Sequence, residues 1–202
     1  MNTVVGKALF NSHPYEEYRK AIDDLLLKGL STGKEQSEEL TNYSSLNVTR
    51  MNRLDKTIKI SDENIQKLKN LKREYIWLVI SEGWCGDAAQ ILPVINKMAV
   101  ETNRVELKIV YRDDNEEFMN MFLTNNSKSI PILVIIDQDT GSVINSWGPR
   151  PTGASKLIID YKKKFGAIDE TAKTDLQMWY LHDKGLSIQN EIIDLLTDFE
   201  NK

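Results

Sequence analysis

The chain has 202 residues, 41% hydrophobic and 28% charged, with 10 Gly and 5 Pro, enough for one domain with a sizeable core and unlike disordered, collagen-like or membrane-spanning chains. Lys and Arg number 26 against 30 Asp and Glu, a net charge of −4. That lacks the basic excess that nonspecific phosphate binding favours, so nucleic acid is not an expected partner.

The N-terminal MNTVVGKALFNSHP does not contain the roughly 7 to 15 apolar residues of a signal peptide. No later run approaches the roughly 18 apolar residues of a membrane span, and the expectation is a cytoplasmic protein with no membrane partner. One helix is expected from Pro14 to Lys28, where Tyr15, Tyr18, Ile22, Leu25 and Leu26 recur at helical spacing and Gly29 supplies a stop. Between Ser37 and Ile58, the positions of Leu40, Tyr43, Met51, Leu54 and Ile58 give one or two further helices, with an interruption near Ser44 to Asn47 left open. Arg50, Arg53 and Lys56 step along another face of that segment. Ser61 then precedes DENIQKLKNL, a short capped helix.

At Tyr75 the period changes. YIWLVIS is a continuous β-branched and aromatic run, read as a strand buried on both faces. VELKIVYR from Val105, PILVIID from Pro131 and SVINSW from Ser142 are three more strands, the last two joined across the turn sequence DQDTG. Helical stretches fall between them: GDAAQILPVINKMAVE after Cys85, DDNEEFMNMFL after Arg112 and GASKLIIDYKKKFG after Trp147. The core order is therefore β-α-β-α-β-β-α, an α/β fold. Two tail helices follow Ile168, so one domain is expected: an N-terminal helical extension over 1–74, the core over 75–166 and a C-terminal helical extension over 167–202. Each tail helix bears a single apolar stripe and needs the core to bury it.

The only cysteine, Cys85, excludes an internal disulfide and leaves too few thiolates for a cysteine zinc site. His13 and His182 lie far apart without close acidic partners, so no metal is expected. Cys85 sits where a buried strand ends and a helix begins, within Glu82-Gly83-Trp84-Cys85-Gly86-Asp87-Ala88. Free N–H groups and the positive end of the helix dipole stabilise a thiolate there, so a lowered pKa is expected.

WCGDA, followed by Pro93 eight residues after the cysteine, resembles the thioredoxin active-site helix, whose motif is W-C-x-x-C with a proline at that offset. Ser129-Ile130-Pro131 before a strand looks like the family's cis-proline loop. Gly141 and Gly148 fall where thioredoxins carry a hairpin glycine and a glycine after the last strand. The resemblance spans about Tyr75 to Phe165, and it implies a thioredoxin-like fold with extra helices at both ends, of a WCGD-type subfamily. Two positions depart from the family pattern. Ala88 occupies the place of the resolving cysteine, so the two-thiol cycle cannot run within this chain. Val79 stands where thioredoxins carry a buried carboxylate that moves protons.

Two functions follow from the resemblance. In the first, Cys85 is the nucleophile of a monothiol thiol-disulfide oxidoreductase acting on a protein disulfide, a peptide or a small thiol. Ile130 and Pro131 present backbone to the substrate, Trp84, Gly86, Asp87 and Ala88 shape the site, and a low-molecular-weight thiol is the one co-substrate, with no other cofactor. In the second, the chain is a redox-inactive thioredoxin-fold binding module for a peptide or small ligand. Asp87 opposes a thiolate beside it, and a neighbouring cation reconciles the two. Arg50 and Arg53 are the candidates, while Arg150 is read as a solvent-facing loop residue.

Overall fold

The computed structural model describes residues 2–201. Its centre is a four-stranded sheet in the order β2-β1-β3-β4, with β1 at Tyr75–Ser81, β2 at Val105–Tyr111, β3 at Ile132–Asp137 and β4 at Val143–Trp147. β1 runs parallel to β2, pairing Tyr75 with Val105 through Ser81 with Tyr111. It runs antiparallel to β3, pairing Tyr75 with Asp137 through Ile80 with Ile132. β3 and β4 form the expected hairpin. Asp137 closes its turn by accepting hydrogen bonds from the Thr140 N–H and hydroxyl, both at 2.8 Å, the local side-chain bonding that suits Asp to turns.

β1 and β3 are buried almost throughout, which explains why their sequences are apolar up to a polar last residue, Ser81 or Asp137, and do not alternate. The outer edge of β2 is covered by the chain ahead of the second helix, where His13 exchanges backbone hydrogen bonds with Ile109, both at 2.8 Å. That contact occupies backbone groups an exposed edge would otherwise present.

The helices are α1 (Thr3–Phe10), α2 (Tyr15–Leu26), α3 (Glu38–Thr57), α4 (Asp62–Lys69), α5 (Gly86–Val100), α6 (Glu116–Met119), α7 (Thr152–Phe165), α8 (Glu170–Asp183) and α9 (Leu186–Glu200). β1, α5, β2, α6, β3, β4 and α7 reproduce the order expected from the sequence. Three local expectations change. α1 was not anticipated; Asn2 caps it and Val5 and Ala8 are buried, but Gly6 dilutes the apolar pattern. Residues 38–57 form one uninterrupted helix: Ser44 bonds the Leu40 carbonyl and Asn47 is fully buried, so two polar residues occupy the buried stripe and mimic a break. α6 is a single turn, because after Met119 the chain passes into tighter turns, with Met121 N–H bonded to the Phe118 carbonyl and Phe122 N–H to the Met119 carbonyl.

α5 lies against the sheet between α3 and α9, and Ala88 through Ile95 are all buried. α9 adds Ile188, Ile192, Ile193 and Leu196 to the same core. The first turn of α5 thus ends up enclosed by elements from both ends of the chain.

Candidate functional site

Cys85 is the N-cap of α5. Its Sγ accepts a hydrogen bond from the Ala88 N–H at 3.5 Å and donates one to the Ile130 carbonyl at 3.3 Å. The Ile130–Pro131 peptide bond is cis, as is Gly148–Pro149. Trp84, Cys85, Gly86, Asp87, Ala88, Ile130 and Pro131 therefore come together as the sequence places them.

The thiol's ionisation departs from the sequence expectation. Cys85 is 8% exposed, and burial, followed by the adjacent Asp87 charge, pushes its pKa up to about 12; the Ala88 and Asp87 N–H groups and Arg150 act the other way and are outweighed. Helix-terminal N–H groups lower a thiol's pKa when water or cations also support the thiolate. Here the thiol has little contact with water and the adjacent Asp87 charge opposes a thiolate, so the neutral thiol is the favoured form.

Asp87 finds its cation in Arg150, not in Arg50 or Arg53. Its Oδ2 lies 2.6 Å from Arg150 Nη2, because the loop that leaves β4 at Gly148 crosses the first turn of α5. Its Oδ1 accepts a hydrogen bond at 2.8 Å from the hydroxyl of Tyr180 on α8. Arg150 is thus part of the site, contrary to the solvent-facing expectation. Arg50 lines the same space but donates to Asn47 Oδ1 at 3.0 Å, while Arg53 faces a different groove, near the α8–α9 junction. The sequence does not mark Tyr180 as a site residue. The available signal was chemical, since a buried tyrosine hydroxyl requires a partner.

Three contacts fix the turn before α5. Asn47 on α3 donates to the Gly83 carbonyl at 3.0 Å, and Thr32 accepts from the Gly83 N–H at 2.8 Å. The Arg112 guanidinium sits 4.7 Å from the centre of the half-buried Trp84 ring, a cation–π arrangement. Beneath them, Glu82 is fully buried. One carboxylate oxygen accepts the Asp113 N–H at 3.0 Å, the other has no partner among the described residues, and burial raises its pKa to about 7. Val79 is buried in β1 and carries no acid. Sequence reasoning missed Glu82 as a titrating group, since only the fold reveals that it is enclosed.

Above Cys85 is a cavity of about 520 Å³ between α3 and α8. Leu40, Tyr43 and Leu46 form one wall, Leu176 and Gln177 the other, and Trp84 to Asp87 the floor. Lys173 on α8 donates to the Tyr43 hydroxyl at 3.1 Å and pairs with Glu170 at 2.7 Å, bridging the two walls. No cluster of residues suited to holding a metal occurs among the described residues, and no helix there is long and apolar enough to cross a membrane.

A thioredoxin family model matches residues 33–163. With the fold and the cysteine-capped helix, that match places the chain among proteins of the thioredoxin fold; the chain belongs to the thioredoxin family. The matched region starts well ahead of Tyr75 and takes in α3 and α4. No curated protein matches the sequence at a significant level. Among solved structures, a protein of unknown function from Pseudomonas aeruginosa aligns with a TM-score of 0.59 at 14% identity, covering 92% of this chain and 98% of the other. An HIV epitope scaffold aligns with a TM-score of 0.57 at 15% identity, covering 92% and 99%. At those identities the likeness is one of fold.

Proposed function

We propose that this thioredoxin-family protein is a binding module for a small ligand, with Cys85 held as a neutral thiol on the floor of the binding cavity. The observation that carries this reading is the cavity of about 520 Å³ between α3 and α8, a volume within the roughly 300 to 1,000 Å³ of small-molecule sites. The two walls are joined by the Lys173 to Tyr43 bond, which narrows access for a folded protein. Ala88 and Val79 fit the same reading, since the residues that run a dithiol cycle are absent from both positions.

A second reading, monothiol exchange, is favoured by one specific observation: Cys85 caps α5 and its sulfur receives the Ala88 N–H. In that reaction the Cys85 thiolate attacks one sulfur of a mixed disulfide. A new disulfide forms at Cys85, the other thiolate leaves and takes a proton, and an external thiol then attacks to restore Cys85.

Comparing the protein with its Cys85→Ser variant separates the two. With hydroxyethyl disulfide as substrate and reduced glutathione as the external thiol at pH 7.5, the binding reading predicts equal turnover for both proteins. Turnover that disappears with Cys85→Ser would establish exchange and overturn the first reading.

A further inference from the structure

The cations lining the cavity are paired with one exception among the described residues. Asp87 is neutralised by Arg150 at 2.6 Å and Lys173 by Glu170 at 2.7 Å. Arg50, half-buried on α3, has no carboxylate within salt-bridge distance among the described residues, and its hydrogen-bond partner is the neutral amide oxygen of Asn47 at 3.0 Å. Burial and the like charge of Arg53 both act against its protonated form. A guanidinium stays charged under any such pressure, so an anion that enters the cavity would offset the cost of its partial desolvation.

Position and surroundings define which anion. The Arg50 Nη1 lies close over Gly86, 3.7 Å from where a side chain at that residue would begin. The anion would therefore sit above the first turn of α5, on the cavity floor. The adjoining walls are apolar, with Leu40, Leu46 and Leu176 facing the same space. Asp87 lies on the floor and Glu39 at the start of α3 lines the same cavity. With Asp87 committed to Arg150, the Glu39 carboxylate in the same lining opposes a doubly charged phosphate, and the one uncommitted guanidinium matches a single negative charge. The planar group that pairs with a guanidinium through two parallel hydrogen bonds is a carboxylate.

We propose that the cavity between α3 and α8 binds a small monocarboxylic acid, its carboxylate on Arg50 and its apolar body between Leu40, Leu46 and Leu176. This rests on the reading of the cavity as a ligand site and adds the chemical class of the ligand. Arg50 is then a specificity-determining residue, and Cys85 lies beneath the bound molecule without taking part in its capture.

The test is an amide NMR titration of the full chain with 4-phenylbutyrate and, separately, with neutral 4-phenylbutanamide. The carboxylate is expected to shift the Gly86 and Asp87 amides and the Arg50 Nε–H saturably, with a Kd about tenfold below that of the amide, the selectivity of one well-placed charge pair. Arg50→Gln keeps a donor for Asn47 and is expected to raise the Kd for the acid to that of the amide, with the amide's Kd unchanged. Equal Kd values for acid and amide in the unaltered protein would overturn the carboxylate assignment while leaving a ligand site in place. The absence of saturable shifts with either compound would overturn the ligand-site reading as well.

Discussion

Glu82 and Cys85 stand three residues apart and are both driven toward their protonated forms by burial. For Glu82 the native pKa of about 7 exceeds the roughly 4.3 of an exposed glutamate. The folded state therefore holds the proton more tightly than the unfolded state. Its stabilising contribution is complete below the unfolded value and is lost as the pH rises through 7. Between pH 5 and pH 8 that loss is on the order of 2 to 3 kcal/mol, at about 1.4 kcal/mol per unit. Glu82→Gln preserves an acceptor for the Asp113 N–H and does not ionise. Urea unfolding at the two pH values is expected to show a stability drop smaller by that amount in the variant, and equal drops in both proteins would contradict the assignment. The sequence showed which residue caps α5 and which residues flank it. It did not show the state of the thiol, because a helix-start position reads as activating until the enclosure around it is known. Arg150 was likewise hidden in the loop sequence, since its approach to Asp87 depends on how β4 exits the sheet.

The loop that carries Arg150 is held against the Ile130–Pro131 segment by a packing constraint at one glycine. Gly148 has φ +126, and a Cβ there would lie 2.4 Å from the Pro131 carbonyl oxygen. Since that neighbour is backbone, it cannot swing aside. Gly148→Ala is expected to cost about 2 to 3 kcal/mol, near the upper range for a residue forced into a sparsely populated backbone region. Gly29→Ala is the control: its φ is +70 but open space surrounds it, so it meets only the smaller backbone penalty of about 1 kcal/mol. Urea unfolding of both variants measures the difference, and equal losses would remove the packing constraint from the account. At this scale the strands were the most legible features, because β1 and β3 lie between layers of helix and their sequences are apolar up to Ser81 and Asp137. α3 was less so, as Ser44 and Asn47 serve tertiary hydrogen bonding inside the buried stripe and blur its period. α6 was overextended because the residues after Met119 continue as three-residue turns, Met121 onto Phe118 and Phe122 onto Met119, which the apolar spacing does not distinguish from a helix.

Across the whole molecule, the site is assembled from distant parts of the chain: α3 supplies Arg50 and Asn47, β3 begins beside Ile130, and α8 supplies Tyr180 to Asp87. The C-terminal helices are bound into the same core. Ile188, Ile192, Ile193 and Leu196 are buried, Gln189 bonds the Lys59 carbonyl and the Ser61 N–H, and Glu191 accepts from the Trp147 indole at 2.8 Å. Four buried aliphatic side chains at about 1.5 to 3 kcal/mol each amount to most of a typical domain's net stability of about 5 to 15 kcal/mol. A chain ending at residue 167 is therefore expected to lose its cooperative thermal transition, and unchanged melting would show that the tail is dispensable. The enclosure created by these elements is what keeps Cys85 neutral, and that is the claim on which the binding reading turns. The most direct measurement is the rate of Cys85 alkylation by iodoacetamide as a function of pH. An enclosed, neutral Cys85 gives a rate that is still rising beyond pH 9, its midpoint well above the roughly 8.5 of an ordinary thiol. A midpoint below about 7.5, the range of activated thiolates, would contradict it.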